Sequence, residues 1–184
     1  FGLGDQVSAI TERAMRGELD FIESFTERLG LLSGLAESEL DVVYQGLTLM
    51  PGAEILTANL SGAGVRLGIV SGGFSYFADQ IGDLLGMDFV LSNTLECRDN
   101  QVTGRLIQPI IDGSMKVQTL NTEARALGID LVETLAVGDG ANDIPMLTAS
   151  GIGVAHHAKP RVRDAANHCL NHHDLSALSY LVKF

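Results

Sequence analysis

Helical and strand-like apolar patterns alternate along the chain from Pro51 onward, and this alternation constrains the fold more than any other feature. It predicts helices at residues 53–60, 76–85, 114–127 and 144–149, and strands at 66–70, 88–91, 135–137 and 151–155. A hairpin at 93–98 and 101–106 and closing elements at 161–166 and 175–182 complete the pattern. Such alternation is typical of an α/β fold with a doubly wound, mainly parallel sheet, whose ligands bind at the carboxyl ends of the strands.

Residues 1–48 carry apolar residues at helical spacing only. Three stripes follow one another, formed by Val7, Ile10, Ala14 and Met15, by Phe21, Ile22, Phe25 and Leu29, and by Leu40, Val43, Tyr44 and Leu47. The pattern changes after these stripes. We therefore predict a small helical domain at 1–48 and an α/β core at 49–184.

The charge balance excludes several classes of partner. Lys and Arg number 12 and Asp and Glu number 23, so the net charge is -11, and such a surface repels nucleic acid and anionic membranes. The apolar stretches are shorter than the roughly 20 residues of a membrane helix. Cys97 and Cys169 follow neither a zinc spacing nor a disulfide-rich pattern. We expect a soluble, cytoplasmic protein that binds a small molecule, and the sequence leaves a homodimer open.

A glycine-rich loop with two carboxylates and an amide follows the apolar run at 135–137. It reads Gly-Asp-Gly-Ala-Asn-Asp over residues 138–143. Glycine lets the backbone approach a ligand closely, and Asp139 offers Mg²⁺ the hard oxygen that this ion prefers. Asn142 and Asp143 can hold neighbouring groups in place. The loop therefore predicts a metal and phosphate site, while an ordinary turn is the alternative.

Two further segments fit an anion at the same edge of the sheet. The strand predicted at 66–70 is followed by Ser71, Gly72 and Gly73. Exposed N–H groups at the start of the next helix would bind an anion together with the Ser71 hydroxyl. Lys116, near the start of the helix at 114–127, would place an ammonium beside that anion and offset its charge. The alternative for Lys116 is a solvated helix lysine.

Together, these three segments resemble the second, third and fourth motifs of the haloacid-dehalogenase superfamily of phosphatases. Longer strings resemble the phosphoserine phosphatases within it, and they lie at 11–21, 49–52, 70–74, 137–146 and 157–160. The resemblance implies a helical cap at 1–48 over the α/β core. It also implies a Mg²⁺-dependent phosphomonoesterase that converts L-phosphoserine to L-serine and phosphate, the last step of serine biosynthesis.

The resemblance implies a role for each candidate residue. Lys116 and Asp143 would be catalytic, Asp139 would bind the metal, and the substrate would be bound by Ser71, Gly72, Gly73, Lys116 and Asn142. In the cap, Arg28, Phe21 and Met15 would face the substrate, with Arg28 paired to its carboxylate, which a planar guanidinium suits. The alternatives are a solvated helix arginine for Arg28 and ordinary packing for Phe21 and Met15.

The family's first motif, Asp-x-Asp-x-Thr, does not occur in the 184 residues. In the family it supplies the nucleophilic aspartate, which forms an aspartyl-phosphate that water hydrolyses, and a second aspartate that acts as acid and base. We expect it shortly before Phe1, on a central strand between those that end near Ser71 and Asp139. The chain alone would then be inactive, would bind Mg²⁺ poorly, and would leave two facing sheet edges unpaired.

Other interpretations stay open on the sequence alone. A similar loop, followed by a proline such as Pro145, occurs in cation-pumping ATPases, but those span membranes. A phosphotransferase to another small alcohol and a non-catalytic phosphate-binding module both fit the residues. The pairs at 156–157 and 172–173 are histidines whose side chains should point to opposite faces of extended segments, which is poor geometry for a shared metal.

Overall fold

The computed structural model describes residues 1–182, except for the side chain of Phe21. Its helices are α1 (Gly4–Met15), α2 (Phe21–Gly30), α3 (Glu39–Gln45), α4 (Ala53–Gly62), α5 (Ser75–Leu85), α6 (Gly113–Leu127), α7 (Ile144–Ala149) and α8 (Pro160–Ala165). Its strands are β1 (Gly68–Phe74), β2 (Phe89–Arg98), β3 (Gln101–Ile107), β4 (Leu135–Gly138), β5 (Ile152–His156) and β6 (His168–Leu170). Short 3₁₀ helices cover Leu131–Glu133, Ala141–Asp143 and Leu175–Leu181. Among the described residues, no helix combines the length and hydrophobicity needed to cross a membrane.

The chain forms two compact units. The first, the helical unit, comprises residues 1–47 and 93–109, and the second, the α/β unit, comprises residues 48–92 and 110 onward. In the helical unit, the loop after α2 is bound to strand β3, because the N–H of Gly34 donates to the carbonyl of Val102 and the N–H of Val102 donates to Leu35. The hairpin formed by β2 and β3 thus belongs to the same unit as α1–α3. A helical domain limited to residues 1–48 stays a prediction.

The strands form two three-stranded sheets, in the orders β1-β2-β3 and β4-β5-β6. Strands β2 and β3 are antiparallel, and their turn residues Asp99 and Asn100 have positive φ values of 51° and 59°, as a tight hairpin turn requires. Strands β4, β5 and β6 are parallel. The α/β class is confirmed. Within residues 1–182, β1 and β4 each pair with one strand only, so both are sheet edges.

Strand β1 runs further than the sequence pattern indicates. The strand was expected to end at residue 70 with a glycine loop after it, whereas β1 continues through Ser71, Gly72 and Gly73 to Phe74. Helix α5 begins directly at Ser75. Neither glycine has a positive φ, so the pair is extended backbone. The prediction of a loop there is wrong, because glycine accepts extended as readily as turn conformations.

Strand β5 lies at the centre of the α/β unit. Val154 belongs to one apolar cluster, with Leu56, Leu60, Leu67 and Leu178, while Ala155 belongs to another, with Ala136, Leu147, Ala158 and Val162. Successive strand residues point to opposite faces of a sheet. Both faces of β5 are therefore covered, which is typical of parallel strands between helical layers.

Candidate phosphate and metal site

A buried ion pair joins helix α6 to the loop after β4. The Nζ of Lys116 lies 2.5 Å from Oδ1 of Asp143, and each residue is 6% exposed. A buried charge of this kind is stable only when it is paired and hydrogen-bonded. The alternative of a solvated helix lysine at position 116 is therefore excluded.

The second oxygen of Asp143 fixes the loop itself. Oδ2 accepts hydrogen bonds from the backbone N–H of Asp139, at 3.1 Å, and from that of Gly140, at 2.9 Å. The approach is close, because a β-carbon at Gly138 would lie 2.5 Å from Cβ of Asp143. The sequence therefore needs glycine at this position. One carboxylate thus links the ammonium of Lys116 to the backbone that carries Asp139.

Lys116 is positioned by the start of its helix. Asp112 caps α6, since its Oδ1 accepts hydrogen bonds from the N–H groups of Ser114 and Met115, both at 2.9 Å. The bond from Met115 is the main reason why the pKa of Asp112 lies below its ordinary value. Asp112 was not among the predicted site residues, although an aspartate before the first helical turn is a standard capping signal.

Asp139 is exposed at the carboxyl end of β4, where ligands bind in α/β sheets. Mg²⁺ sites use one or two carboxylates together with water and phosphate oxygens. A single exposed carboxylate beside the Lys116–Asp143 pair fits such a site. Within residues 1–182, no three His, Cys, Asp or Glu side chains are arranged to hold a metal on their own. Asp139 as a metal ligand stays a prediction.

Asn142 brings the loop beside strand β1. A β-carbon at Gly72 would lie 3.6 Å from Nδ2 of Asn142, and one at Gly113 would lie 2.8 Å from its carbonyl oxygen. The predicted phosphate ligands Gly72, Asn142 and Lys116 therefore belong to one neighbourhood in the α/β unit. The Ser71 hydroxyl accepts a hydrogen bond from the N–H of Gly73 at 2.9 Å. The Gly73 N–H is therefore bonded within the segment that was predicted to bind phosphate.

The other predicted substrate residues lie in the helical unit. Arg28 is half-buried, and its Nε donates to the carbonyl of Ser24 on the preceding turn at 3.2 Å. Met15 is 84% exposed. The side chain of Phe21 lies outside the described part of the chain. Their roles toward a substrate stay predictions.

The first histidine pair differs from its prediction. The rings of His156 and His157 do not point apart, because their centroids lie 4.4 Å apart in an edge-to-face arrangement. His157 has a φ of 45°, so the chain leaves the extended conformation there. Its predecessor, His156, is 6% exposed.

Comparisons with known proteins show the family to which the chain belongs. The chain matches the haloacid dehalogenase-like hydrolase family over residues 5–148. It is 45% identical to the phosphoserine phosphatase of Streptomyces coelicolor, over 98% of this chain and 44% of the relative. It is 46% identical to that of Polaromonas sp., over 97% of this chain and 78% of the relative.

A solved structure described as a substrate-bound phosphoserine phosphatase complex gives a TM-score of 0.91 at 34% identity, covering 99% of this chain and 87% of the other. The chain spans about half the length of several curated relatives, for example 44% and 53%. The match over 5–148 nevertheless includes the Lys116–Asp143 pair and the loop at 138–143. The chain belongs to the haloacid dehalogenase-like hydrolases.

Proposed function

We propose that the chain forms most of a phosphatase that hydrolyses L-phosphoserine to L-serine and phosphate with Mg²⁺, as the last step of serine biosynthesis. The observation that carries this proposal is the buried Lys116–Asp143 pair bound to the backbone of Asp139. The Lys116 ammonium and the Asp139 carboxylate belong to the carboxyl end of β4 and the helix beside it, and this supports a site where a phosphoryl group and a cation bind together. Similarity to phosphoserine phosphatases supports the choice of substrate.

Each residue of the α/β unit has a defined task in this proposal. Lys116 offsets the negative charge of the phosphoryl group, while Ser71, the backbone of Gly72, and Asn142 hold its oxygens. Gly73 would add its N–H only after releasing the Ser71 hydroxyl, to which that N–H is bonded. Asp143 orients the Lys116 ammonium through their direct contact, and Asp139 would hold the Mg²⁺ ion. Phosphatases of this family generally use a divalent metal, which when bound would neutralise charge that develops on the phosphoryl oxygens.

The nucleophile in this proposal comes from outside the 184 residues. An aspartate of an Asp-x-Asp-x-Thr strand attacks phosphorus in line, the bond from phosphorus to the serine oxygen breaks, and a second aspartate protonates that oxygen. Water then hydrolyses the aspartyl-phosphate. The two edge strands β1 and β4 support this placement, because a strand between them would pair with both and reach the ends that carry Ser71 and Asp139.

For substrate selection we carry over the family roles. Residues 1–48 would form the cap, Arg28 would bind the substrate carboxylate, and Phe21 and Met15 would contact the rest of the amino acid. The half-buried position of Arg28 supports a guanidinium that is partly desolvated, and such a group binds a carboxylate more strongly than a fully solvated one.

The test compares residues 1–184 with a protein extended at its amino terminus to include the native first motif. We expect Mg²⁺-dependent release of phosphate from L-phosphoserine by the extended protein and negligible release by residues 1–184, because no residue of the chain replaces the nucleophile. An extended protein that binds phosphate without hydrolysing the ester would favour a non-catalytic binding module. Robust turnover by purified residues 1–184 would contradict the placement of the nucleophile.

A further inference from the structure

A cavity lies between helices α4 and α5 of the α/β unit, and the proposed reaction does not use it. Its volume is about 370 Å³, which is within the range of pockets that hold small ligands. It is lined by Glu54, Thr57, Ala58, Ser61, Asp83, Leu84, Leu85 and Gly86. The residues of the phosphate and metal site, Ser71, Lys116 and Asp139, are not among them. The cavity is therefore a candidate for a second ligand.

One face of helix α4 forms a wall of this cavity. Its lining residues are Glu54, Thr57, Ala58 and Ser61. Residues three or four positions apart lie on the same side of a helix, and the helix rises about 10 Å between the first and the last of these four. The wall presents a carboxylate, two hydroxyl groups and one methyl group. It can therefore contact both a polar group and an apolar group of one molecule.

The polar side chains of the lining act mainly as hydrogen-bond acceptors. The Thr57 hydroxyl is 7% exposed and donates its one hydrogen to the backbone carbonyl of Glu54 at 3.3 Å, so it can offer a ligand only lone pairs. The side chains of Glu54 and Asp83 are carboxylates, which accept only. Neither of them forms an ion pair within residues 1–182. The lining therefore favours a ligand that donates hydrogen bonds.

Helix α5 ends at the same cavity. Its last residue is Leu85, and Gly86 follows as a left-handed cap with a φ of 64°. The last carbonyl groups of a helix carry partial negative charge and favour a cation nearby. Among the lining residues of the described chain, none is Lys, Arg or His. The charge around the cavity is therefore negative on both helices.

We propose that this cavity binds a small organic cation that carries an ammonium group. The ammonium donates hydrogen bonds to the carboxylates of Glu54 and Asp83. The apolar part of the molecule lies against Ala58 and the exposed side chain of Leu84. A metal ion is not favoured, because no three His, Cys, Asp or Glu side chains within residues 1–182 are arranged to hold one. An anion is repelled by two carboxylates without a counter-charge.

The direct test follows the backbone amides of residues 1–184 by NMR while benzylamine is added at neutral pH, where its amine is charged. We expect the amides of Ser61, Leu84 and Gly86 to shift with one common midpoint. Benzyl alcohol has the same ring without the charge and should bind about fivefold more weakly or worse. The amide of Asp139 should stay unchanged, so the outcome does not depend on the proposed phosphatase site. Fixed amides at the cavity, or equal binding of the alcohol, would overturn the inference.

Variants that remove one charge each give an independent readout. Glu54→Gln and Asp83→Asn keep the shape of their side chains, and we expect each to weaken the binding of benzylamine about two- to fivefold, as for exposed charge pairs. The double variant should lose about tenfold if the two contacts are independent. The matched control is Asp164→Asn on α8, an exposed position outside the cavity, which should bind as the parent does. A double variant with the affinity of the parent would contradict the proposal.

Discussion

Replacement of Asp143 by asparagine should destabilise the protein more than any exposed charge substitution. The amide keeps the shape of the side chain but places an N–H₂ donor or a neutral oxygen beside the Lys116 ammonium, which is 2.5 Å from Oδ1 of Asp143. Both side chains are 8% exposed, so water cannot replace the lost charge. Breaking a buried pair by removing one partner costs about 3–5 kcal/mol. For a chain of this size, that corresponds to a fall in Tm of about 6–20 °C.

The assay is urea unfolding followed by far-UV circular dichroism, because the chain contains no tryptophan. The matched control is Glu123→Gln, which makes the same acid-to-amide change at the exposed pair that Glu123 forms with Arg66. We expect that variant to unfold close to the parent midpoint. The double variant Lys116→Met/Asp143→Leu should lose less stability than the sum of its single variants. An Asp143→Asn protein as stable as Glu123→Gln would refute the interpretation of this pair.

Two further predictions concern specificity and pH. In the extended protein, Arg28→Lys should lower kcat/KM for L-phosphoserine more than kcat/KM for phosphoethanolamine, which lacks the carboxylate. The expected difference corresponds to about 1–3 kcal/mol. An equal loss for both substrates would mean that Arg28 only supports its helix. The folded pKa of His156 lies below its unfolded value, so the unfolded state takes up this proton first as pH falls. The free energy of unfolding of residues 1–184 should therefore fall as the pH is lowered through about 6.5, the ordinary pKa of histidine, and His156→Gln should flatten that slope. An unchanged slope would show that His156 is not the responsible group.

Most elements of the α/β unit, and the proximity of Lys116 to the loop at 138–143, could be predicted from the sequence for a physical reason. Hydrophobic periodicity located strand β4 and helix α6, and the carboxyl ends of parallel strands lie at one edge of a sheet. Lys116 and the loop at 138–143 could therefore be expected near each other, and the Nζ–Oδ1 distance of 2.5 Å places Lys116 and Asp143 in direct contact.

Other features depend on backbone conformations that residue type does not determine. Glycine at 72 and 73 fits a turn or a strand equally well, so the continuation of β1 could not be read from the pattern. The contact between the His156 and His157 rings accompanies a positive φ at His157, a conformation that is uncommon outside glycine and that the sequence does not indicate. Strand β6 has three residues, too few for a periodic signal.

The assignment of Asp139 and Lys116 is tested most directly by the Mg²⁺ dependence of their variants in the extended protein. Initial rates are measured at saturating L-phosphoserine while Mg²⁺ is raised. We expect Asp139→Asn to weaken the binding of Mg²⁺, so that mass action partly restores its rate, whereas Lys116→Ala removes a charge that metal cannot replace and should stay slow. Recovery of Lys116→Ala at high Mg²⁺, with Asp139→Asn indifferent to the metal, would contradict the account of this site.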